Sequence, residues 1–184
     1  KTIIMKKIFL LFTLSIFLSC EASVFSCGGQ SINGYEEKEN LKLSDGITTY
    51  KGTLYTGEIF GNYKNGKLNI KTCYKDGKKQ LAWKYYDNGQ LERKAIFKDG
   101  VIELEEEYYE NGKLSEEVTY ENGKKVMNKA YHKNGKLNFI GHEKNGKADG
   151  IFEVYYENGE LEYKAIYKDG KEVEVIIKDG KKVN

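Results

Sequence analysis

The histidines and the clustered carboxylates are the residues of this 184-residue chain best suited to metal binding or acid–base chemistry, and their spacing supports neither. His132 and His142 are its only histidines. Neither a Cys-x-x-Cys nor a His-Glu-x-x-His spacing, the signatures of common metal sites, accompanies them. Glu105, Glu106 and Glu107 form an acidic run whose outer members would share one face of a strand, opposite lysines of neighbouring strands. We therefore expect no metal site, no cofactor and no catalytic centre.

The cysteines point to export rather than to catalysis. A basic start at residues 5–7 precedes the uncharged stretch Ile8–Ser19, which is the pattern of a secretory signal peptide. The end of this stretch, residues 17–20, resembles a bacterial lipobox, in which the cysteine (here Cys20) carries the lipid. Residues 24–27 offer Cys27 as the alternative, although Glu21 would then interrupt the apolar region. Several acyl chains on one cysteine would hold the chain stably on a membrane.

These signals divide the chain into three parts. We expect a lipoprotein-type signal peptide at 1–20, a flexible polar tether at 21–42 and a repeat domain at 43–184. Cys73 lies alone within the repeats, and Cys27 is its remaining partner once Cys20 is acylated, so the sequence leaves a disulfide open. The expected location is the cell envelope.

Charge excludes one class of partner. The chain has 30 basic and 28 acidic residues, a formal net charge of +2. No strong positive field is available for nucleic acid.

Eleven of the Asn-Gly and Asp-Gly pairs between residues 65 and 180 form a periodic series, with alternating steps that sum to about 23 residues. Both dipeptides favour tight hairpin turns, because their residues tolerate positive φ. Lysine follows eight of the eleven glycines, where we expect it to protect the sheet edges; binding of phosphate or anionic lipid is the alternative. A fixed period of this kind is typical of repeat proteins, in which each unit packs on its neighbours.

Between the turns, apolar and polar residues alternate as in half-buried strands, for example from Leu91 to Phe97. We predict an all-β fold, a meander of about twelve antiparallel strands that forms one elongated, twisted sheet. The turn type at Asn88-Gly89 stays open. A two-residue turn would place Tyr86 opposite Leu91, whereas a three-residue loop with a glycine bulge would place Tyr85 there.

The stretch from Lys147 to Lys171, which includes Tyr155-Tyr156-Glu157-Asn158-Gly159, resembles the bacterial variant of the MORN repeat, found in proteins often labelled YwqK-family antitoxins. Residues 55–68 resemble the opening unit of such an array, and the resemblance covers about residues 50–184. The unit from Tyr131 to Gly146 departs most from the pattern. The resemblance implies an interaction module of repeated hairpins, in some cases linked to lipid, and it implies no particular activity.

The function we expect is therefore that of a non-enzymatic, membrane-anchored lipoprotein that offers a β-repeat scaffold to a protein partner. Exposed aromatic rows suit protein or glycan contact. The candidate contact residues are Tyr86, Tyr109, Tyr156 and Trp83. Packing within the sheet is the competing role for such tyrosines, since cross-strand aromatic pairs stabilise sheets. The alternative functions are a cell-wall or glycan binder and an antitoxin or immunity protein.

Overall fold

A computed structural model describes residues 27–183, so the predicted signal peptide and Cys20 lie outside the described residues. This part of the chain contains sixteen strands and one short 3-10 turn, Lys38–Asn40. The strands are β1 (Gln30–Asn33), β2 (Leu41–Ser44), β3 (Ile47–Tyr50), β4 (Thr53–Leu54), β5 (Gly57–Asn62), β6 (Leu68–Lys75), β7 (Lys78–Tyr85), β8 (Leu91–Lys98), β9 (Val101–Tyr108), β10 (Leu114–Glu121), β11 (Lys124–Tyr131), β12 (Leu137–Lys144), β13 (Lys147–Tyr155), β14 (Leu161–Lys168), β15 (Lys171–Lys178) and β16 (Lys181–Lys182).

Thirteen strands form one open sheet, in the order β1 and then β5 through β16, and β2, β3 and β4 form a separate small sheet. From β5 onward every strand pairs antiparallel with its neighbour in sequence. This confirms the predicted all-β meander in a single long sheet. Among the described residues, no helix is both long and apolar enough to cross a membrane.

The eleven glycine-containing pairs form two kinds of turn. In six of them both residues have a positive φ, as a two-residue type I′ turn requires; the first residues are Asp76, Asp99, Asn122, Asn145, Asp169 and Asp179. In the other five only the glycine has a positive φ; these pairs begin at Asn65, Asn88, Asn111, Asn134 and Asn158.

The second kind is the wider loop that the sequence left as one of two alternatives. Gly89 N–H donates to Tyr86 O at 2.9 Å, and Tyr86 N–H donates to Gln90 O at 2.8 Å. These bonds close a three-residue loop, so Tyr85 rather than Tyr86 pairs with Leu91.

The alternation of turn and loop explains the 23-residue period. Strands β8 and β9 have eight residues each; a two-residue turn joins them, and residues 109–113 connect β9 to β10. Because the strands reverse direction, the five loops all lie on the same side of the sheet, where strand ends meet. We call this side the loop edge. The turns at residues 76, 99, 122, 145 and 169 lie along the opposite edge, the turn edge.

The two faces of the single-layer sheet differ, because neighbouring residues of a strand point to opposite sides. The small-residue face carries one cross-strand row: Thr72, Ala82, Ala95, Glu105, Val118, Asn128, Gly141, Phe152 and Ala165. The ion-pair face carries the adjacent row: Lys71, Trp83, Lys94, Glu106, Glu117, Lys129, Ile140, Glu153 and Lys164. Ala95, Val118 and Ala165 of this first row are buried.

The main hydrophobic cluster lies at the N-terminal end of the sheet. Ile32 of β1, Tyr55 and Tyr74 of β6 are buried together, with Tyr50 and Ile59 packed against them. The small sheet joins the first repeat through backbone bonds, for instance from the Thr48 N–H to Gly77 O at 2.8 Å. This end of the array is therefore covered, as the terminal repeats of such proteins need.

The structure differs here from the predicted tether at residues 21–42. Within that range, β1 pairs in parallel with β5, and the 3-10 turn leads into β2. The polar sequence gave no strand alternation because β1 has only four residues, of which Ile32 alone is buried. Its pairing is with residues 57–60, a long-range contact that a local pattern does not reveal.

Candidate partner-binding surface

Tyr86 and Tyr109, two of the candidate contact residues, begin loops on the loop edge and bind the backbone of the next repeat. The Tyr86 hydroxyl donates to Tyr108 O at 2.7 Å. The Tyr109 hydroxyl donates to Tyr131 O at 2.6 Å. Each bond joins a loop to a strand end 22 residues further along the chain. We call these contacts clasps, because they connect successive repeats.

The clasps extend to both neighbours of this pair. The Tyr63 hydroxyl donates to Tyr85 O at 2.6 Å. His132 stands in the same column, and its Nε2 lies 2.8 Å from Tyr155 O. Since a carbonyl oxygen only accepts hydrogen bonds, Nε2 carries the proton in this contact. His132 thus replaces tyrosine as a donor, and the described residues contain no group of three or more His, Cys, Asp or Glu side chains placed to hold a metal ion.

Tyr156 ends the column and differs from its other members. Its side chain is 37% exposed, and its hydroxyl has no hydrogen bond within residues 27–183. Partial loss of solvent raises the pKa of this hydroxyl, and the carboxylates of Glu162 and Asp179 raise it further. The hydroxyl of Tyr156, unlike those of the other tyrosines in this column, is therefore available for contact with another molecule.

Trp83 lies away from the tyrosine column, in mid-strand on the ion-pair face. The Lys71 ammonium lies 5.6 Å from the centre of its ring, within the range of a cation–π contact. Lys71 also pairs with Glu58 at 2.6 Å. The four candidate residues therefore occupy three different environments: the clasps of the loop edge, the end of that edge and the middle of one face.

Besides the pair of Lys71 with Glu58, three further cross-strand ion pairs lie along the ion-pair face. They are Lys94 with Glu106 at 2.9 Å, Lys129 with Glu117 at 2.6 Å, and Lys164 with Glu153 at 2.8 Å. The hydrogen bond from Lys164 lowers the pKa of Glu153, and the bond from the Tyr155 hydroxyl lowers it further. The adjacent row contains four half-buried aliphatic residues, Leu81, Ile96, Leu104 and Met127, with Thr119 between the last two.

The acidic run on β9 is paired with cations on both faces. Arg93 contacts Glu105 at 2.7 Å and Glu107 at 3.1 Å on the small-residue face, while Glu106 points to Lys94 on the other face. Burial and the nearby Glu105 carboxylate raise the pKa of Tyr120 to about 12. The alternation expected for these glutamates is confirmed, with arginine as an additional partner.

Lysines of the loop edge also connect repeats, a role that the sequence did not suggest. Their ammonium groups donate to carbonyl oxygens of the next loop; the bonds are Lys67 to Asp87 O at 2.9 Å, Lys113 to Asn134 O at 2.8 Å, and Lys136 to Asn158 O at 2.6 Å. The signal was present as a lysine column at the 23-residue step. A column repeated at the period of the array predicts a contact between units as well as protection of an edge.

Cys27 and Cys73 form a disulfide, which answers the question that the sequence left open. Their Cα atoms lie 5.3 Å apart, in the usual range for disulfides. Cys73 is 3% exposed, at the centre of β6. The bond fastens the segment preceding β1 to the first repeats.

Comparison with known proteins identifies the repeat. Residues 55–76, 84–99, 104–122 and 148–169 match the model of the MORN repeat variant. The four matched stretches fall on the hairpins of the long sheet and omit the unit from Tyr131 to Gly146, which departs most from the pattern. No curated protein matches the chain.

Two solved structures are similar in part. Accessory secretory proteins 1, 2 and 3 of Streptococcus pneumoniae give 17% identity and a TM-score of 0.36, over 63% of this chain and 20% of the other. A mutant of TarM from S. aureus, in complex with fondaparinux, α-GlcNAc-glycerol and UDP, gives 17% identity and a TM-score of 0.37, over 62% of this chain and 22% of the other. The chain thus spans about a fifth of the length of these proteins.

Proposed function

We propose that this chain, a MORN-repeat protein, is a non-enzymatic lipoprotein of the cell envelope that presents its sheet to a protein partner. The observation that carries the proposal is the single-layer architecture. Repetition spreads similar side chains along the sheet, whereas an enzyme brings unlike side chains together in a pocket. A long sheet with solvent on two faces offers extended contact area instead.

The ion-pair face is the part of the sheet best suited to a protein. Its charges are matched in pairs, so a partner that covers them leaves no buried charge without a counter-ion. The half-buried aliphatic row beside them supplies apolar area, and Trp83 adds an aromatic ring of the kind enriched in binding hot spots. Tyr86 and Tyr109 contribute rigidity to this scaffold, since their hydroxyls already bind the backbone.

The disulfide supports export and favours Cys20 as the lipid site. Disulfides persist in oxidising compartments outside the cytosol. A cysteine that carries lipid through its sulfur cannot share that sulfur with Cys73, so the pairing of Cys27 argues against the alternative site. Six residues would then separate the lipidated cysteine from Cys27, a distance of at most about 25 Å when extended.

Site-specific photocrosslinking in the native cells tests the proposal. A photoreactive residue would replace Trp83 on the ion-pair face or, as the matched control, Glu116 on the small-residue face. We expect one near-stoichiometric protein adduct from position 83 and a weaker one from position 116. If neither position yields a protein and the array stays on isolated cell wall, the glycan-binding alternative replaces this proposal. The nature of a captured partner separates a scaffold from an immunity role, for which the partner would be a toxin.

The anchor is tested by two cysteine variants. Cys20→Ser should release the protein from the membrane fraction and abolish labelling by radioactive palmitate. Cys27→Ser should keep both and lose only the disulfide. Retention of the label in Cys20→Ser together with its loss in Cys27→Ser would move the anchor to Cys27.

A further inference from the structure

Eight Asn-Gly pairs make this chain rich in a chemically reactive dipeptide. Their asparagines are Asn33, Asn65, Asn88, Asn111, Asn122, Asn134, Asn145 and Asn158. The reaction is deamidation. The backbone nitrogen of the glycine first loses its proton and then attacks the carbonyl carbon of the asparagine side chain. The reaction therefore needs a glycine N–H that water can reach and a side chain that is free to turn toward it.

In six of the pairs, hydrogen bonds hold both groups. The five loop-edge asparagines each accept, through Oδ1, the N–H two residues ahead, at 2.8–3.0 Å. The glycine N–H of each loop donates to the carbonyl of the residue that begins the loop, at 2.7–2.9 Å. Asn33 follows the same rule: its Oδ1 accepts the Tyr35 N–H, and the Gly34 N–H donates to Phe60 O at 2.8 Å.

At Asn122 and Asn145, neither the asparagine side chain nor the glycine N–H is held by such a hydrogen bond. Both are exposed residues of two-residue turns on the turn edge. Within residues 27–183 neither side chain forms a hydrogen bond, and neither Gly123 nor Gly146 donates its N–H to an acceptor. Both asparagines line the same open depression of about 500 Å³, together with His142.

The asparagine turns differ from two other turns of this edge, those at Asp76 and Asp169. About twenty residues before each of these two turns, the chain has an additional glycine with a positive φ. These glycines are Gly57, which follows Thr56, and Gly150, which follows Asp149. The side chains of Thr56 and Asp149 accept the N–H of Asp76 and Asp169, at 2.8 and 3.4 Å.

The same units also protect the glycines of those turns. Gly77 and Gly170 donate their N–H groups to Tyr55 O and Ala148 O, each at 2.8 Å. The units before Asn122 and Asn145 have no such glycine, so these turns keep their N–H groups open to solvent.

We propose that Asn122 and Asn145 are the sites at which the folded protein deamidates spontaneously. The Gly146 nitrogen, having lost its proton, bonds to Cγ of Asn145; the C–N bond to the side-chain amide breaks, ammonia leaves, and a succinimide forms. Water then opens the ring to aspartate or isoaspartate. Asn122 and Gly123 react in the same way.

Asn145 is the faster of the two sites. A methyl group built on Gly146 would meet nothing within 4 Å, whereas the Val101 side chain lies 3.3 Å from the equivalent position on Gly123. Lys144 and Lys147 flank the Asn145 turn and favour loss of the amide proton, while Glu121 precedes Asn122.

The two products differ in their effect. Aspartate gives the Asp-Gly turn already present at Asp76, Asp99 and Asp169, so the hairpin is retained. Isoaspartate adds a carbon to the backbone, which alters the geometry that closes a two-residue turn.

Peptide mapping by mass spectrometry after incubation in heavy-oxygen water at mildly alkaline pH tests the inference. In the folded full-length chain, we expect label at Asn145 and Asn122 to appear at least about tenfold faster than at the six hydrogen-bonded pairs, which react only after local opening. In urea, the eight sites should react at similar rates. The variants Asn122→Asp and Asn145→Asp are matched controls, which should abolish ammonia release from their own turn only.

Equal rates at all eight sites in the folded chain would overturn the proposal. So would a hydrogen-bonded pair that reacts first, or a folded chain in which Asn122 and Asn145 are as inert as the rest while all eight react in urea.

Discussion

At the scale of single residues, the most consequential atoms are the hydroxyls of the loop-edge tyrosines. A ring in this column looks from the sequence like exposed surface, and the structure shows a hydrogen-bond donor to the next repeat instead. Tyr109→Phe should lower the free energy of unfolding by about 1 kcal/mol, because it leaves the Tyr131 carbonyl without its partner. Urea denaturation measures the loss. Tyr156→Phe is the control, since this hydroxyl has no such bond, and equal losses in the two variants would contradict the clasp.

The ion pair between Glu153 and Lys164 makes a second prediction, for acid stability. The folded pKa of Glu153 lies below its ordinary value, so its contribution is fully present above about pH 4.3 and disappears as the pH falls through the folded pKa. Glu153→Gln should therefore flatten the loss of stability in this acidic window. Glu103→Gln, which removes an exposed carboxylate outside any ion pair of the described residues, should leave the profile unchanged. Thermal melts from pH 6 to pH 3 measure the stability of each variant. An equal effect of the two substitutions would refute the assignment.

At the scale of the hairpin, the backbone conformation of the turns decides which residues are tolerated. Asp99 has a φ of +52°, a region that alanine occupies at a cost of roughly 1–2 kcal/mol. Asp87, in the neighbouring three-residue loop, has no positive φ. Asp99→Ala should therefore lower the urea midpoint clearly more than Asp87→Ala. A larger effect at Asp87 would contradict the assignment of the two turn types.

The row of small residues makes a further prediction for the sheet. A methyl group on Gly141 would lie 2.6 Å from Phe139 Cζ and 2.8 Å from Phe152 Cε1. Gly141→Ala should therefore destabilise by about 1–3 kcal/mol through overpacking. Shortening one ring in Gly141→Ala/Phe139→Leu should recover part of the loss. If the double variant loses more stability than the two single variants lose together, the Phe139 ring does not cause the effect.

Much of the hairpin level could be predicted from the sequence, because turn chemistry is local. The positions of the Asn-Gly and Asp-Gly pairs indicated where the strands lie and where they turn. Local chemistry did not decide between Tyr85 and Tyr86 opposite Leu91, since both turn types accept Asn-Gly. The clasps were missed because a donor and its carbonyl lie 22 residues apart, beyond the range of any strand pattern.

At the scale of the whole molecule, the array depends on its N-terminal end. Within residues 27–183, the second layer over the sheet and the disulfide are both at this end. Cys27 and Cys73 are 46 residues apart, and cross-links over loops of this size contribute about 2–4 kcal/mol. The sequence could not supply this end, because parallel pairing of β1 and the packing of Ile32 are both long-range events.

The variant Cys27→Ser/Cys73→Ser should therefore loosen one end and spare the other. Repeats transmit stability mainly to their neighbours, so hydrogen exchange should accelerate in β1 and β5 and remain unchanged in β13 and β14. The wild-type protein under a reducing agent should behave in the same way. Uniform acceleration along the sheet would show that the array unfolds as one cooperative unit.

The clasps have a consequence for how this protein can evolve. Each clasp joins a ring donor, a tyrosine hydroxyl or the His132 imidazole, to a tyrosine carbonyl one repeat further along. Duplication or deletion of a 23-residue block in the gene would therefore leave a matched donor and acceptor at each new junction. Strand direction would also be preserved, because a block contains two strands. Array length is thus a trait that unequal recombination can change in single steps, while the disulfide-closed end has to be inherited intact.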